Sequence, residues 1–154
     1  MGTASLKTLK PKAARFCAYR ERSVSEVRTK LKALGASDPD TDTLIEELIK
    51  ENFIDESRYA RAFTSDKFRF NKWGKVKIRQ QLRQKQVGED EIERALDHLP
   101  EKEYHEMIQW LVVQKLKALP VDLEHSEKKQ KLIRFLLQKG FEYELIAPHL
   151  SVLS

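Results

Sequence analysis

Ten basic side chains crowd residues 58–85: Arg58, Arg61, Lys67, Arg69, Lys72, Lys75, Lys77, Arg79, Arg83 and Lys85, against the single acid Asp66. Ammonium and guanidinium groups at this density suit one kind of chemistry. They neutralise phosphates and release the counterions condensed there. Acidic segments bracket the stretch. Residues 38–56 carry eight acids against Lys50, and residues 89–106 carry eight against Arg94 and Lys102. Charges present only for solubility would not segregate into such blocks. A basic centre between acidic flanks predicts anion binding at one place rather than everywhere.

Residues 74–85 have helical periodicity, with Ile78 and Leu82 on the apolar face. Lys75 and Lys85 flank that face and are expected to snorkel along it. Lys77 and Arg83 project from the opposite side with Gln80 and Gln84, and Arg79 lies at the border. The residues expected to bind nucleic acid are Lys77, Arg79 and Arg83, with Arg69 and Lys72 in the preceding turn. Trp73, Lys75 and Lys85 complete the candidate set. The competing reading is a plain solvated helix face. Trp73 either closes the core between two helices or stacks on an unpaired base, and its Asn71-Lys72-Trp73-Gly74 setting fits both.

Other chemistry has little footing. His98, His105, His125 and His149 are scattered, without metal-ligand spacing to one another or to Cys17. No glycine loop of the phosphate-cradling type and no nucleophile signature is present. No catalytic residue, cofactor or metal is expected.

The elements that must position the basic stretch repeat themselves. Ile78, Leu82, Val87 and Ile92 match Leu132, Leu136, Phe141 and Ile146 at a constant offset of 54, and Val27 and Leu31 precede Ile78 and Leu82 by 51. A helix pair of this size cannot bury its apolar face alone, so the copies must stack. The expected fold is all-α, with about nine helices in three groups of three. The boundaries read as a disordered basic tail over 1–10, then units at 11–54, 55–99 (the basic one) and 100–154. Pro11 is expected to open the first helix, and Ser23 with Glu26 forms a capping-box pattern. Asp38 and Ser126 read as further caps. Leu44, Ile45, Leu48, Ile49 and Phe53 form an inward stripe, as do Tyr59, Phe63 and Phe70.

With 154 residues, the chain is long enough for one narrow continuous core. A net charge of +5 favours an anionic partner. Cys17 stands alone, so no intrachain disulfide forms, and a small buried hydrophobe in a reducing compartment is expected. Residues 1–10 lack the apolar core of a signal peptide, and the apolar run at 110–113 is far too short to span a bilayer. A soluble, cytoplasmic protein with no membrane partner is the expectation.

Two segments resemble the RecX family of bacterial RecA regulators. Phe53-Ile54-Asp55-Glu56-Ser57-Arg58-Tyr59-Ala60 is similar to its Ile-Asp-Asp/Glu-x-Arg-Phe/Tyr-Ala signature. Trp73-Gly74-Lys75 through Ile78-Arg79-Gln80-Gln81-Leu82-Arg83-Gln84-Lys85 is similar to its Gly-Lys-x-x-Ile-x-x-Glu-Leu-x-x-Lys-Gly-Ile pattern. Arg22-Ser23 with Glu26 and Leu31 fits the family's opening helix pair, and the resemblance extends over roughly residues 12–150. The chain departs at Gln86, where the family has Gly, so the left-handed residue is sought elsewhere, with Gly88 the candidate. It departs also at Gln81, in place of Glu. The third copy keeps only its apolar skeleton and Gly140.

The resemblance implies three tandem three-helix units forming an elongated, curved array, and no enzyme activity. It implies binding along the groove of a RecA–single-stranded DNA filament, touching protein and DNA together, and damping ATP hydrolysis and strand exchange; a monomer is the expected state. Two other functions fit the residues. One is a general DNA-binding protein with a helix-turn-helix-like unit, reading bases through Gln80, Gln81, Arg83 and Gln84. The other is a protein-interaction solenoid whose basic belt meets an acidic partner.

Overall fold

A computed structural model describes residues 5–153, which form nine α-helices and a closing 3-10 turn, with no strand among them. No helix among the described residues is long and apolar enough to cross a membrane. Helices α1 (Leu6–Tyr19), α2 (Val24–Ala33) and α3 (Asp38–Lys50) precede α4 (Glu56–Arg69), α5 (Lys75–Gln84) and α6 (Glu89–Asp97). Helices α7 (Glu101–Ala118), α8 (His125–Gln138) and the short α9 (Tyr143–Ile146) follow, ending in the 3-10 turn Ala147–Leu153. Two compact units result: Met1–Phe63 with Leu82–Ala95, and Thr64–Gln81 with Leu96–Ser154.

In the first unit α1, α2 and α3 pack around Leu9, Ala13, Cys17, Val27, Leu31, Leu44, Ile45 and Leu48. The helix starts follow from their caps. Ser23 Oγ accepts from Glu26 N at 3.1 Å while Ser23 N donates to Glu26 Oε1 at 3.3 Å, so the expected capping box forms in full. Ser37, not Asp38, caps α3: its hydroxyl accepts from Asp40 N at 3.2 Å, and Asp38 becomes the first helical residue.

The first helix begins at Leu6, capped by Ser5, so Leu6–Lys10 are helical rather than part of a disordered tail. Pro11 sits inside the helix instead of opening it. A proline there removes one i→i−4 bond. Burial of Leu9, at 1% exposure, offsets that loss, because Leu9, Ala13 and Cys17 form one face only if the helix runs through the proline. Met1–Ala4 of the expected tail lie outside the described residues.

The α3 stripe is narrower than its sequence suggests. Thr41, Leu44, Ile45 and Leu48 are buried, whereas Ile49 is exposed. Phe70 stands exposed past the end of α4, and α8 begins at His125 with Glu124 as its N-cap rather than Ser126.

One local device recurs at each copy of the repeat. Gly35, Gln86 and Gly140 all take left-handed backbone, with φ of 94°, 62° and 98°. Each is followed by the same long bond: Ala36 N to Leu31 O, Val87 N to Leu82 O, Phe141 N to Leu136 O, at 3.0 to 3.1 Å. This is the closure a helix uses to satisfy its last carbonyls before reversing. Gln86 itself takes the left-handed position, so Gly88 is not the helix stop.

Candidate nucleic-acid interface

The second unit gathers basic groups around the turn between α4 and α5. After Arg69 the chain breaks from the helix, Lys72 adopts a left-handed φ of 59°, and Trp73 N donates back to Lys67 O at 3.1 Å. The indole of Trp73 is half-buried. Lys77 Nζ lies 4.7 Å and Lys67 Nζ 5.2 Å from its ring centroid. The ring is therefore neither pure core nor a bare stacking platform. It is an aromatic surface already faced by cations.

Gly74 carries the next step. Its N–H donates to Lys139 O at 2.8 Å, and Val76 N donates to Gly140 O at 2.9 Å. A Cβ on Gly74 would stand 2.4 Å from the Gly140 carbonyl, and one on Gly140 would stand 2.4 Å from Lys77 Cβ. Only two glycines allow this backbone approach. It seats the end of α8 on the start of α5 and delivers Lys139, whose Nζ donates to Asn71 O at 3.0 Å. Burial holds the Lys139 ammonium below the ordinary lysine pKa, and the charges of Lys77 and Lys72 push it the same way. Its electrostatic neighbours are thus two more lysines, and an anion beside Lys139 would offset that repulsion.

Tyr104 anchors the turn from the core side. Its hydroxyl accepts from Lys75 N at 2.9 Å and donates to Glu142, and its ring stacks on Phe68 at 5.7 Å and tilts against Phe141 at 5.3 Å. Burial, then the Glu142 bond, raises the phenol far above its usual range. Tyr104 is a structural residue that fixes the first turn of α5.

The structure sorts the candidate residues. Lys72, Trp73 and Lys77 come together, and Lys67 and Lys139 join them. Lys75 turns toward Tyr104, with Nζ 5.1 Å from that ring. Arg79 is one of the charges acting on the same phenol. Arg69 Nη2 lies 3.5 Å from Glu103 Oε2. Arg83 and Lys85 belong to the first unit, where Arg83 holds both oxygens of Glu89 at 2.7 and 3.1 Å and Lys85 Nζ lies 4.0 Å from Glu26. Arg69, Arg83 and Lys85 thus each stand against a carboxylate.

Sequence reading missed Lys139. The signal was present: Lys139 lies 54 residues after Lys85, the repeat offset, and Gly140 likewise follows Gln86. His105 and His149, distant in sequence, bring their rings to 6.1 Å from one another. No group of three or more potential metal ligands converges among the described residues.

Known proteins match along most of the chain. Models of the first, second and third three-helix domains of RecX match residues 10–48, 55–96 and 103–148. The regulatory protein RecX of Prosthecochloris aestuarii is 35% identical over 144 residues, 92% of this chain and 91% of that protein. That of Halalkalibacterium halodurans is 34% identical over 135 residues, 87% of this chain but 50% of that longer protein. The crystal structure of RecX from Lactobacillus salivarius shares the fold, with a TM-score of 0.86 at 24% identity over 96% of each chain.

Proposed function

Because the chain belongs to the RecX family, we propose that it is a non-catalytic regulator of a RecA recombinase. It binds the filament that RecA forms on single-stranded DNA and slows both ATP hydrolysis and strand exchange. Its three units, taken as 11–54, 55–99 and 100–154, act together as a monomer. The observation that carries the DNA side of this reading is the cluster of ammonium groups at the α4–α5 turn: Lys67 and Lys77 face the Trp73 ring, Lys139 bonds Asn71 O, and Lys72 faces Trp110. Clustered ammonium groups beside an aromatic ring suit an unpaired strand, whose phosphates and base faces are both accessible. The acidic first turns of α3 and α6 supply the opposite charge, suited to a basic protein surface.

The test is the single-stranded-DNA-dependent ATPase rate of the cognate RecA with this protein titrated in. Inhibition well below one molecule per recombinase monomer is the expected result. Inhibition only once the DNA is saturated would replace filament binding with simple competition for DNA. No inhibition at any ratio would leave a protein-interaction array without this activity.

A further inference from the structure

A second tryptophan lies on the same side of Lys72 chemistry and belongs to none of the residues assigned so far. Trp110, on α7, is 48% exposed, and Lys72 Nζ lies 5.4 Å from its ring centroid. It walls an open groove of about 410 Å³ with Arg69, Lys72, Glu103, Glu106 and Met107. An aromatic face half open to solvent, with a cation over it and a groove beside it, is the arrangement on which unpaired bases stack. The groove carries both signs of charge. Glu103 and Glu106 line it beside Arg69 and Lys72, with Glu103 engaged by Arg69 and Glu106 by Lys102. Those carboxylates repel phosphate but accept the N–H groups of a base edge. Lys72 faces the Trp110 ring within the groove, while Lys77 and Lys139 lie at the adjoining turn, against Trp73 and Asn71 O.

We infer that Trp110 is a base-stacking residue: an unpaired nucleobase of single-stranded DNA lies on its indole in this groove while the adjoining phosphodiester runs over Lys72 toward Lys77 and Lys139. The occupant follows from the charge pattern. An acidic peptide would meet Glu103 and Glu106, and a basic one would meet the lysines. A nucleotide carries its negative charge and its flat neutral face in separate parts, and it matches both. Duplex DNA hides its base faces and does not fit. The inference rests on the proposed DNA-binding reading and assigns it a residue and a strand preference.

The chain has two tryptophans, so single-tryptophan variants report each ring separately. In Trp73→Phe, the emission of Trp110 is followed during titration with oligodeoxythymidylate and with a duplex of equal length. Binding is measured in parallel by anisotropy of a labelled strand. Quenching that saturates with the single strand, is reversed by salt and is absent with the duplex is expected. Trp110→Ala, a surface change, should weaken single-strand binding about tenfold. Trp110 emission that stays constant while anisotropy shows saturation would overturn the inference, as would a failure of the strand to bind the unaltered protein. Recombinase inhibition separates the two failures. If Trp110→Ala inhibits like the parent protein and does not change strand binding, the stacking role falls while the regulatory reading stands.

Discussion

At the scale of single residues, the segment from Ile54 to Ala60 is a staple rather than a binding site. Ile54 and Ala60 are buried, and Asp55 Oδ1 caps α4 by accepting from Arg58 N at 3.0 Å. Glu56 Oε1 accepts from Val24 N at 3.2 Å, and Arg58 reaches Glu21 at 2.6 Å and Asn52 O at 3.0 Å. Tyr59 bonds Glu26, the capping-box acid. Burial would raise the Glu26 carboxyl, but Tyr59, Ser23 and Lys85 outweigh it and hold it below its ordinary 4.5. A carboxyl lowered by folding contributes stability above its unfolded pKa and loses it as pH falls through the folded value. Melting temperature should therefore drop below about pH 4.5, and Glu26→Gln should flatten that part of the decline. Gln86 makes the opposite kind of statement. A side chain at φ 62° is strained where Gly35 and Gly140 are not. Gln86→Gly should stabilise the protein by about 0.5–1 kcal/mol in urea unfolding. The repeat offset made Gln86 equivalent to Gly140. Sequence reading still looked past it to Gly88, because an unstrained glycine was the simpler candidate.

At the scale of elements, the basic turn depends on how closely α5 and the end of α8 approach. The Gly74–Gly140 contact leaves no room for a methyl group, because the obstructing atoms are backbone. Gly74→Ala should cost about 2–3 kcal/mol and lower affinity for single strands, since it displaces Lys139. Gly88→Ala is the control. Its Cβ would meet only the end of the Glu91 side chain, 2.6 Å away, which can move. The cost there should stay within about 0.5 kcal/mol. Helix existence and type were readable from apolar periodicity. The start of α1 was not, because Pro11 reads as an opening signal and only the burial of Leu9 shows that the helix extends before it.

At the scale of the whole molecule, the compact units do not coincide with the repeats. Helices α4, α5 and α6 each contribute residues to both units. The second unit's core draws on Phe68 and Ile78 from the middle of the chain and on Tyr104, Leu132, Leu136 and Phe141 from its last third. A chain ending after Leu99 should keep amide protection in α1–α3 and lose it over residues 64–81, measured by hydrogen exchange. Phosphate contact also sums over the molecule. Replacing Lys72, Lys77 and Lys139 together with Gln should reduce the slope of log affinity against log salt by about 2 for a single strand.

The sequence alone determined the all-helical class, the threefold repetition, most helix stops and the location of the basic stretch. These depend on local periodicity, capping chemistry and charge, which act within a few residues. Only the tertiary structure decided which cations stand near one another. Ion pairs set Arg69 and Arg83 against carboxylates, and a glycine-on-glycine contact brings Lys139 to the turn from more than sixty positions away. Such choices depend on backbone approach and on which carboxylate lies within 4 Å, and neither distance is encoded in spacing along the chain.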